Sequence, residues 1–511
     1  MLNVHPSAEE NLTGADAVYR ASTPFLDLRS FVTFLERSGR LHRVTKSVDK
    51  DWELACIARW ALESTAEKDA YAILFERVGK RSTPVVVNLY LTPEIYASAL
   101  GIHAEEIFER WAKALEHPRQ PVEVRSAACQ DLVLLGSEAD LLSVPAPVWT
   151  PGRDGGPYLS AANVITKDPE TGIQNMGIYR MQIHDSRHAG LYFGGKLQHG
   201  AIHLRKYAER EEAMPVAAAI GVAPAVTFAS AAKLAYGTDE LAVAGGLAGC
   251  SLEIVRGKTV DLLVPARAEC VIEGFVRPEL TRLEGPFGEY LGHVNGAAPA
   301  AVVEITAITR RAAALHHGFV QQMPPSDGHL VMEIGMLGPL WFNLTRKLGV
   351  KGIRNLAIAR GSAGLSILVA QIERAYASES SRIGRLLAKF NSGQKFIYLV
   401  DEDIDIRDQE TLNWALSSRV NAPQDVAFVE SFSTHRSTSS PSALSQGEQL
   451  VPAVPSSSVV VINAMSKGPM AELSLPDPSM MCKVLDDWAE TGLPPLCQRK
   501  RLKRFLGMSS A

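Results

Sequence analysis

The chain has 511 residues, 46% hydrophobic and 21% charged, a globular composition too long for one ordinary core. Its formal net charge of −4 argues against a nucleic-acid binder, although a few local Lys and Arg suffice for a small anion. Six cysteines (Cys56, Cys129, Cys250, Cys270, Cys482 and Cys497) form no CxxC pair and match no zinc framework, so reduced core thiols in a cytoplasmic protein are expected.

Residues 1–24 are polar, lack the basic and apolar regions of a secretory signal, and are expected to be loosely ordered. From Phe25, apolar residues recur at helical spacing until Ser38-Gly39, where the glycine suits a C-cap. A strand from Leu41, a helix from Trp52 to Leu62 and a strand from Thr83 to Tyr90 complete an N-terminal α/β domain over 25–122. Residues 123–325 are rich in strands. Asn163 to Lys167 and Asn175 to His184 flank the turn signal Asp168-Pro-Glu-Thr-Gly172 and read as a hairpin. Further strands are expected at Ser251–Arg256, Asp261–Pro265 and Ala301–Thr309, so the middle domain is expected to be barrel-like. Met214 to Ala232 is uncharged and reaches membrane-spanning length. Its prolines and many small residues predict buried strand and loop instead. Residues 326–490 alternate again: a helix from Met332 to Leu348, a strand at Phe396–Val400 and a helix from Thr411 to Arg419 predict a second α/β domain. The Ser- and Pro-rich stretch 431–458 is expected to be a surface loop, and 491–511 a basic terminal helix or subunit contact.

One string stands out chemically. Glu284-Gly-Pro-Phe-Gly-Glu289 brackets a constrained core with two carboxylates. Pro286 fixes its φ and the glycines admit unusual dihedrals, so the loop can hold a general acid and an electrostatic partner in fixed relation. An ordinary turn with solvated glutamates is the plainer reading. In Asn175-Met-Gly-Ile-Tyr-Arg180, Asn175 and Arg180 have opposite strand parity, so one site uses both only through a bulge at Gly177 or an irregular loop. Gln198-His199 and Thr238-Asp-Glu240 follow. With Asn175, His199 and Glu240 make a mixed O/N ligand set suited to manganese or magnesium held jointly with a phosphate. His184, His188 and His203 compete for the histidine role. Gly245-Gly-Leu-Ala-Gly249 is too weak for a dinucleotide site. Asp401, Asp403 and Asp405 do not make an EF-hand and read as a solvated strand end.

Together these strings resemble the UbiD family of prenylated-FMN decarboxylases, which includes the ferulic acid decarboxylases. The resemblance runs from about Leu26 to Ala464. It is carried by Asp168-Pro-Glu-Thr-Gly, Asn175-Met-Gly-Ile-Tyr-Arg, Gln198-His, Thr259-Val-Asp-Leu-Leu-Val-Pro-Ala, Glu284-Gly-Pro-Phe-Gly-Glu, Pro324-Pro-Ser-Asp and Asp401-Glu-Asp-Ile-Asp. It implies a three-part α/β (α+β) chain with a central split β-barrel that binds the flavin and a C-terminal dimerisation domain. It implies a catalytic Arg180, Glu284 and Glu289. It implies metal ligands at Asn175, His199 and Glu240 clamping the cofactor phosphate, and a phosphate contact at Lys395. Ile178, Tyr179, Arg180, Gln198 and Ser230 would line the cofactor.

The activity so implied is reversible, non-oxidative decarboxylation of an aromatic, heteroaromatic or α,β-unsaturated acid, with prenylated FMN, Mn2+ or Mg2+ and potassium as a further candidate ion. A flavin prenyltransferase would supply the cofactor, and the enzyme would be a homodimer or higher homo-oligomer. Glu289, raised by an apolar pocket, would protonate the carbon that lost its carboxylate. Arg180 would orient the substrate carboxylate and keep Glu284 ionised. Phe287, Tyr290 and His329 are candidates for shaping the substrate pocket, His329 through a phenolic hydroxyl. The alternatives are a metal-dependent hydrolase using the same Asn, His and Glu, and a non-catalytic flavin-binding assembly factor.

Overall fold

The structure is a computed structural model that describes residues 23–79, 83–390, 393–431, 457–468 and 473–494. The N-terminal polar segment up to residue 22, nearly all of the Ser/Pro-rich stretch, Cys497 and the basic run from Gln498 lie outside the described residues.

The N-terminal part follows its sequence closely. Asp27 opens helix α1 (Leu28–Arg37), its carboxylate accepting from the Ser30 N–H and so satisfying an orphan donor of the first turn. Leu28, Phe31, Val32 and Leu35 line its buried face, and Gly39 follows at a φ of 69°. Strand β1 (Leu41–Val48), helix α2 (Glu53–Ser64) and strands β2 (Ala72–Val78) and β3 (Val85–Val87) come next. The run expected as a strand from Thr83 to Tyr90 is shorter, because Asn88 turns the chain at a φ of 60°.

The central part contains β4 (Leu132–Leu135), β5 (Tyr158–Leu159), β6 (Asn163–Lys167), β7 (Gln174–Ile178), β8 (Met181–Ile183) and β9 (His188–Leu191). Helix α3 (His199–Glu209), strand β10 (Met214–Ile220), helices α4 (Pro224–Ser230) and α5 (Glu240–Ala248) and two long strands, β11 (Cys270–Glu284) and β12 (Ala298–Arg310), complete it. The uncharged run is thus a buried strand followed by a short helix with Pro224 in its first turn, where the missing N–H costs nothing. Among the described residues no helix is long and apolar enough to cross a membrane.

These strands form a nine-stranded sheet in the order β5-β8-β9-β12-β11-β10-β6-β7, with β4 on β12. The order has a steric consequence. β7 is a terminal strand and β8 lies next to the other end, yet only Tyr179 and Arg180 separate them in the chain. So short a link requires the sheet to curl until its two edges meet, which makes it a split barrel. Tyr179 crosses that seam with its N–H on the Ala162 carbonyl at 3.3 Å.

The chain then returns to the N-terminal sheet through β13 (His316–His317), which pairs with β3. Helix α6 (Asp327–Phe342) begins five residues earlier than periodicity suggested and passes into a π-turn at Asn343–Lys347. Strands β14 (Ile353–Ile358) and β15 (Ile367–Ile372), helix α7 (Ser380–Lys389), strand β16 (Phe396–Asp401), helix α8 (Gln409–Arg419) and strands β17 (Val426–Ser431) and β18 (Ser457–Asn463) follow. They build a five-stranded sheet in the order β14-β15-β16-β18-β17. The mixed α/β class with a central half-barrel is therefore as expected. Asp401 is not solvated as expected: it is fully buried and takes the Arg419 guanidinium at 2.9 Å, which also holds Asp403 at 2.6 Å.

Asp327 joins α6 to the N-terminal sheet. Its fully buried carboxylate accepts the Leu89 N–H at 2.9 Å and the Gly328 N–H at 3.0 Å. Burial pushes its pKa from 3.8 up to about 7, opposed by those backbone donors. The folded value lies above the unfolded one, so the stability tied to this proton is complete at low pH and drains as pH climbs through about 7. Asp327→Asn is expected to flatten that part of the stability–pH curve, as measured by urea unfolding from pH 5 to 8. An unaltered curve would remove Asp327 from the titration.

Candidate active site

Arg180 sits at the seam of the split barrel, and both acids of the Glu284–Glu289 string come to it. Its Nε donates to Glu284 Oε1 at 2.8 Å and its Nη2 to Glu284 Oε2 at 2.7 Å, a two-pronged pair. Its Nη1 donates to Glu289 Oε1. Glu284 ends β11 and is 1% exposed, so its charge has no water to fall back on. Glu289 lies just beyond the short strand Phe287–Gly288 and keeps a 19% exposed side chain. Burial raises the pKa of Glu289, Arg180 opposes that shift and the charge of Glu284 adds to it. This is the arrangement of a carboxyl that can hold a proton next to one that stays paired.

Aromatic rings fix the guanidinium plane. Tyr192 lies 4.2 Å and Phe287 4.8 Å from it, ring centroid to Arg180 Cζ, each presenting a π face. Tyr158, fully buried, packs on Phe287 at 4.2 Å and brings its hydroxyl to Glu284, whose charge and burial push the phenol up. Phe287 therefore packs against the Arg180 guanidinium. Tyr192 and Tyr158 carry no local motif and were not legible; their only signal was an aromatic in a short strand or beside one.

The parity conflict between Asn175 and Arg180 is resolved at Tyr179–Arg180. β7 keeps regular register through Gly177, and the chain breaks only at the two seam residues. Gly177 is needed for a different reason: a Cβ there would lie 2.6 Å from the Tyr179 ring. Tyr179 packs edge-on to Phe193 at 5.1 Å, and its hydroxyl reaches the Gly200 N–H and the Asn175 side chain, with burial pushing it up to about 12.

Asn175, His199 and Glu240 do converge. His199, at the start of α3, has its Nδ1 3.0 Å from Asn175 Oδ1 and 3.9 Å from Glu240 Oε1. Glu240, at the start of α5, is 4% exposed and also accepts the Met176 N–H at 2.9 Å. One imidazole proton thus stands between an amide oxygen and a carboxylate oxygen, where a cation fits the same three donors. Among the described residues no group of three His, Cys, Asp or Glu could hold a metal, so the amide of Asn175 is what completes this set. Of the competing histidines, His203 bonds Thr166 at 2.8 Å and His188 bonds Asp185 at 2.8 Å, while His184 lies beside Gly190 with a buried Nε2 that has no hydrogen-bond partner. Tyr236, which sequence reasoning missed, stands edge-on to His199 at 5.2 Å. Its hydroxyl donates to Asp168 at 2.6 Å, and Lys206 joins the same carboxylate at 2.8 Å. The Asp168 turn signal thus has a second use beneath the ligand set.

The other expected cofactor residues are more dispersed. Ile178 ends β7 opposite Asn163, and Gln198 precedes α3. Ser230 is buried at the end of α4 and donates its hydroxyl to the Val226 carbonyl at 2.7 Å. Lys395 lies on the C-terminal sheet, its backbone tied to Ser366 and Val460. His329 has both ring nitrogens engaged within the protein, on Ser326 and on the Tyr290 carbonyl, and so offers none to a phenolic hydroxyl in this arrangement.

Arg180→Met would leave Glu284 buried without its partner. It is expected to cost about 3–5 kcal/mol of stability, measured by chemical denaturation. A loss below about 1 kcal/mol would mean that the Arg180–Glu284 pair does not hold the fold together.

Three family profiles match the chain in order. The 3-octaprenyl-4-hydroxybenzoate carboxy-lyase N-terminal domain covers residues 32–115, its Rift-related domain 120–324 and its C-terminal domain 337–464. An uncharacterized protein of Archaeoglobus fulgidus is 32% identical over 432 residues, 79% of this chain and 86% of the relative. Another, from Synechocystis sp., is 30% identical over 431 residues, 79% of this chain and 84% of the relative. Among solved structures, the UbiD-class enzyme HmfF from Pelotomaculum thermopropionicum in complex with FMN is 31% identical with a TM-score of 0.79, covering 90% of this chain and all of its own. Vanillic acid decarboxylase of Sedimentibacter hydroxybenzoicus shares the fold, with a TM-score of 0.76 at 24% identity, over 92% of this chain and 100% of that one. With an arginine forked between two glutamates at a barrel seam and all three family domains matched in order, the chain belongs to the UbiD family of carboxy-lyases.

Proposed function

We propose that this enzyme decarboxylates an aromatic, heteroaromatic or α,β-unsaturated carboxylic acid, reversibly, using prenylated FMN held with a divalent metal. The observation that carries the reading is the Glu284–Arg180–Glu289 array at the seam. HmfF, at 31% identity, has been solved with FMN and, in an evolved dimeric form, with prenylated FMN, which supports the cofactor.

When bound, prenylated FMN supplies an electron sink for the pair left behind by departing carbon dioxide. Asn175, His199 and Glu240 would hold the metal, Mn2+ or Mg2+, against the cofactor phosphate, with Lys395 approaching from the C-terminal domain. Gln198, Ile178, Tyr179 and Ser230 would line the flavin. Arg180, its planar guanidinium packed against Tyr192 and Phe287, orients the substrate carboxylate while Glu284 balances its charge. Glu289, raised by burial, delivers a proton to the carbon that has lost its carboxylate. Because donation requires the protonated form, turnover is expected to fall as pH rises past that raised value. The enzyme works as a homodimer or higher homo-oligomer, with a flavin prenyltransferase as its cofactor source.

The test is the absorbance spectrum and intact cofactor mass of protein coexpressed with a flavin prenyltransferase and supplied with manganese. A flavin carrying the extra prenyl ring is expected; folded protein with metal and no flavin would overturn the proposal. Glu289→Gln should keep the flavin and lose turnover by about 100-fold or more, and wild-type turnover would exonerate that residue. Glu240→Ala is expected to lose metal and flavin together, read by elemental analysis alongside the spectrum.

A further inference from the structure

The turn that carries Glu289 is seated from outside the central sheet. Its own hydrogen bonds make it compact: the Glu289 N–H donates to the His293 carbonyl and the Gly292 N–H to the Glu289 carbonyl, both at 2.8 Å. Two groups meet its outer face. His329, in the first turn of α6, shares a hydrogen bond between its Nε2 and the Tyr290 carbonyl. A carbonyl only accepts, so Nε2 carries the proton and Nδ1 accepts from Ser326 Oγ at 2.7 Å. Gly364, in the loop between β14 and β15, is the second group. A Cβ at Gly364 would stand 2.7 Å from Tyr290 Cδ2 and 2.7 Å from Leu291 Cδ2, well inside any real carbon contact. A leucine methyl can rotate away, whereas the Tyr290 ring is met at its Cδ2 and Cε2 edge and must turn or carry its backbone with it, and Tyr290 is the residue after Glu289.

We propose that Gly364 and His329 are positioning residues for the proton donor: the β14–β15 loop of the C-terminal domain sets where the Glu289 carboxyl stands, and the donor is in register with Arg180 only while that loop is seated on Tyr290. The inference rests on the reading of Glu289 as the proton donor. It makes the second α/β domain part of the catalytic geometry through a contact that excludes any side chain. Gly361 lies in the same loop at a φ of 78° but has nothing within 4 Å of a would-be Cβ. It therefore shares the left-handed strain of Gly364, whose φ is 55°, without the contact.

The experiment compares G364A with G361A in the flavin-loaded enzyme, alone and combined with Tyr290→Ala. G364A is expected to bind flavin as the wild type does and to lose kcat by about 100-fold with KM little changed, the mark of a misplaced reacting group. Amide hydrogen exchange at Glu289 and Gly292 should quicken in G364A and not in G361A. The double variant G364A/Y290A should turn over no more slowly than Y290A alone, because the contact is already gone. Wild-type kcat and exchange in G364A, or losses that simply multiply in the double variant, would overturn the proposal. If the wild type releases no carbon dioxide, the functional reading fails, while the exchange contrast between G364A and G361A still tests the seat. Should G364A not accumulate, His329→Ala reads the same seat through the same two amides: faster exchange supports it and unaltered exchange overturns it.

Discussion

The fork of Arg180 between Glu284 and Glu289 is the constraint from which the rest of the structure follows. Two carboxylates in a region of low dielectric repel and resist ionisation, and one guanidinium with several fixed donors is the smallest device that answers both. Glu284 receives two of those donors and is closed off from water; Glu289 receives one and keeps some exposure. That asymmetry separates a closely paired carboxylate from one whose burial raises its pKa. A lysine would supply the charge without the plane, and the plane is what Tyr192 and Phe287 grip.

Much of this was legible. The helix from Leu28, the hairpin at Asp168–Gly172 and the half-buried strands announce themselves through period and turn chemistry. The carboxylate string stood out as a constrained loop between two glutamates, yet on its residues alone an ordinary turn was the plainer reading, and the family resemblance is what gave it a role. The ligand set was not legible as a set. Asn175, His199 and Glu240 come from a strand end and two helix starts, and no spacing rule links them; only family resemblance joined them before the structure did. Tyr158, Tyr192 and Tyr236 escaped altogether, since an aromatic in a strand or loop looks the same whether it packs a core or a guanidinium. Asp401 was misjudged because its partner, Arg419, lies on a helix 18 residues further on, and strand-end acids are ordinarily solvated.

Family membership fixes the reaction class more firmly than the substrate. Arg180 and Glu284 belong to the barrel, whereas the Glu289 turn also touches α6 and the β14–β15 loop. The C-terminal α/β domain therefore borders the turn that carries Glu289.

The seam sets a length as well as a position. From Ile178 to Met181 is three Cα steps, at most about 11 Å. Asn175, which lies beside His199 and Glu240, is on β7, and Arg180, which holds Glu284 and Glu289, is in the link itself. The distance between the Asn175–His199–Glu240 cluster and the Arg180–carboxylate fork is thus written into the covalent chain, as a tether that neither breathing of the barrel nor domain motion can lengthen. A surface loop ordinarily absorbs an inserted residue at little cost. This one cannot, because an extra residue would let the two edges of the sheet part and give the two halves of the site independent coordinates.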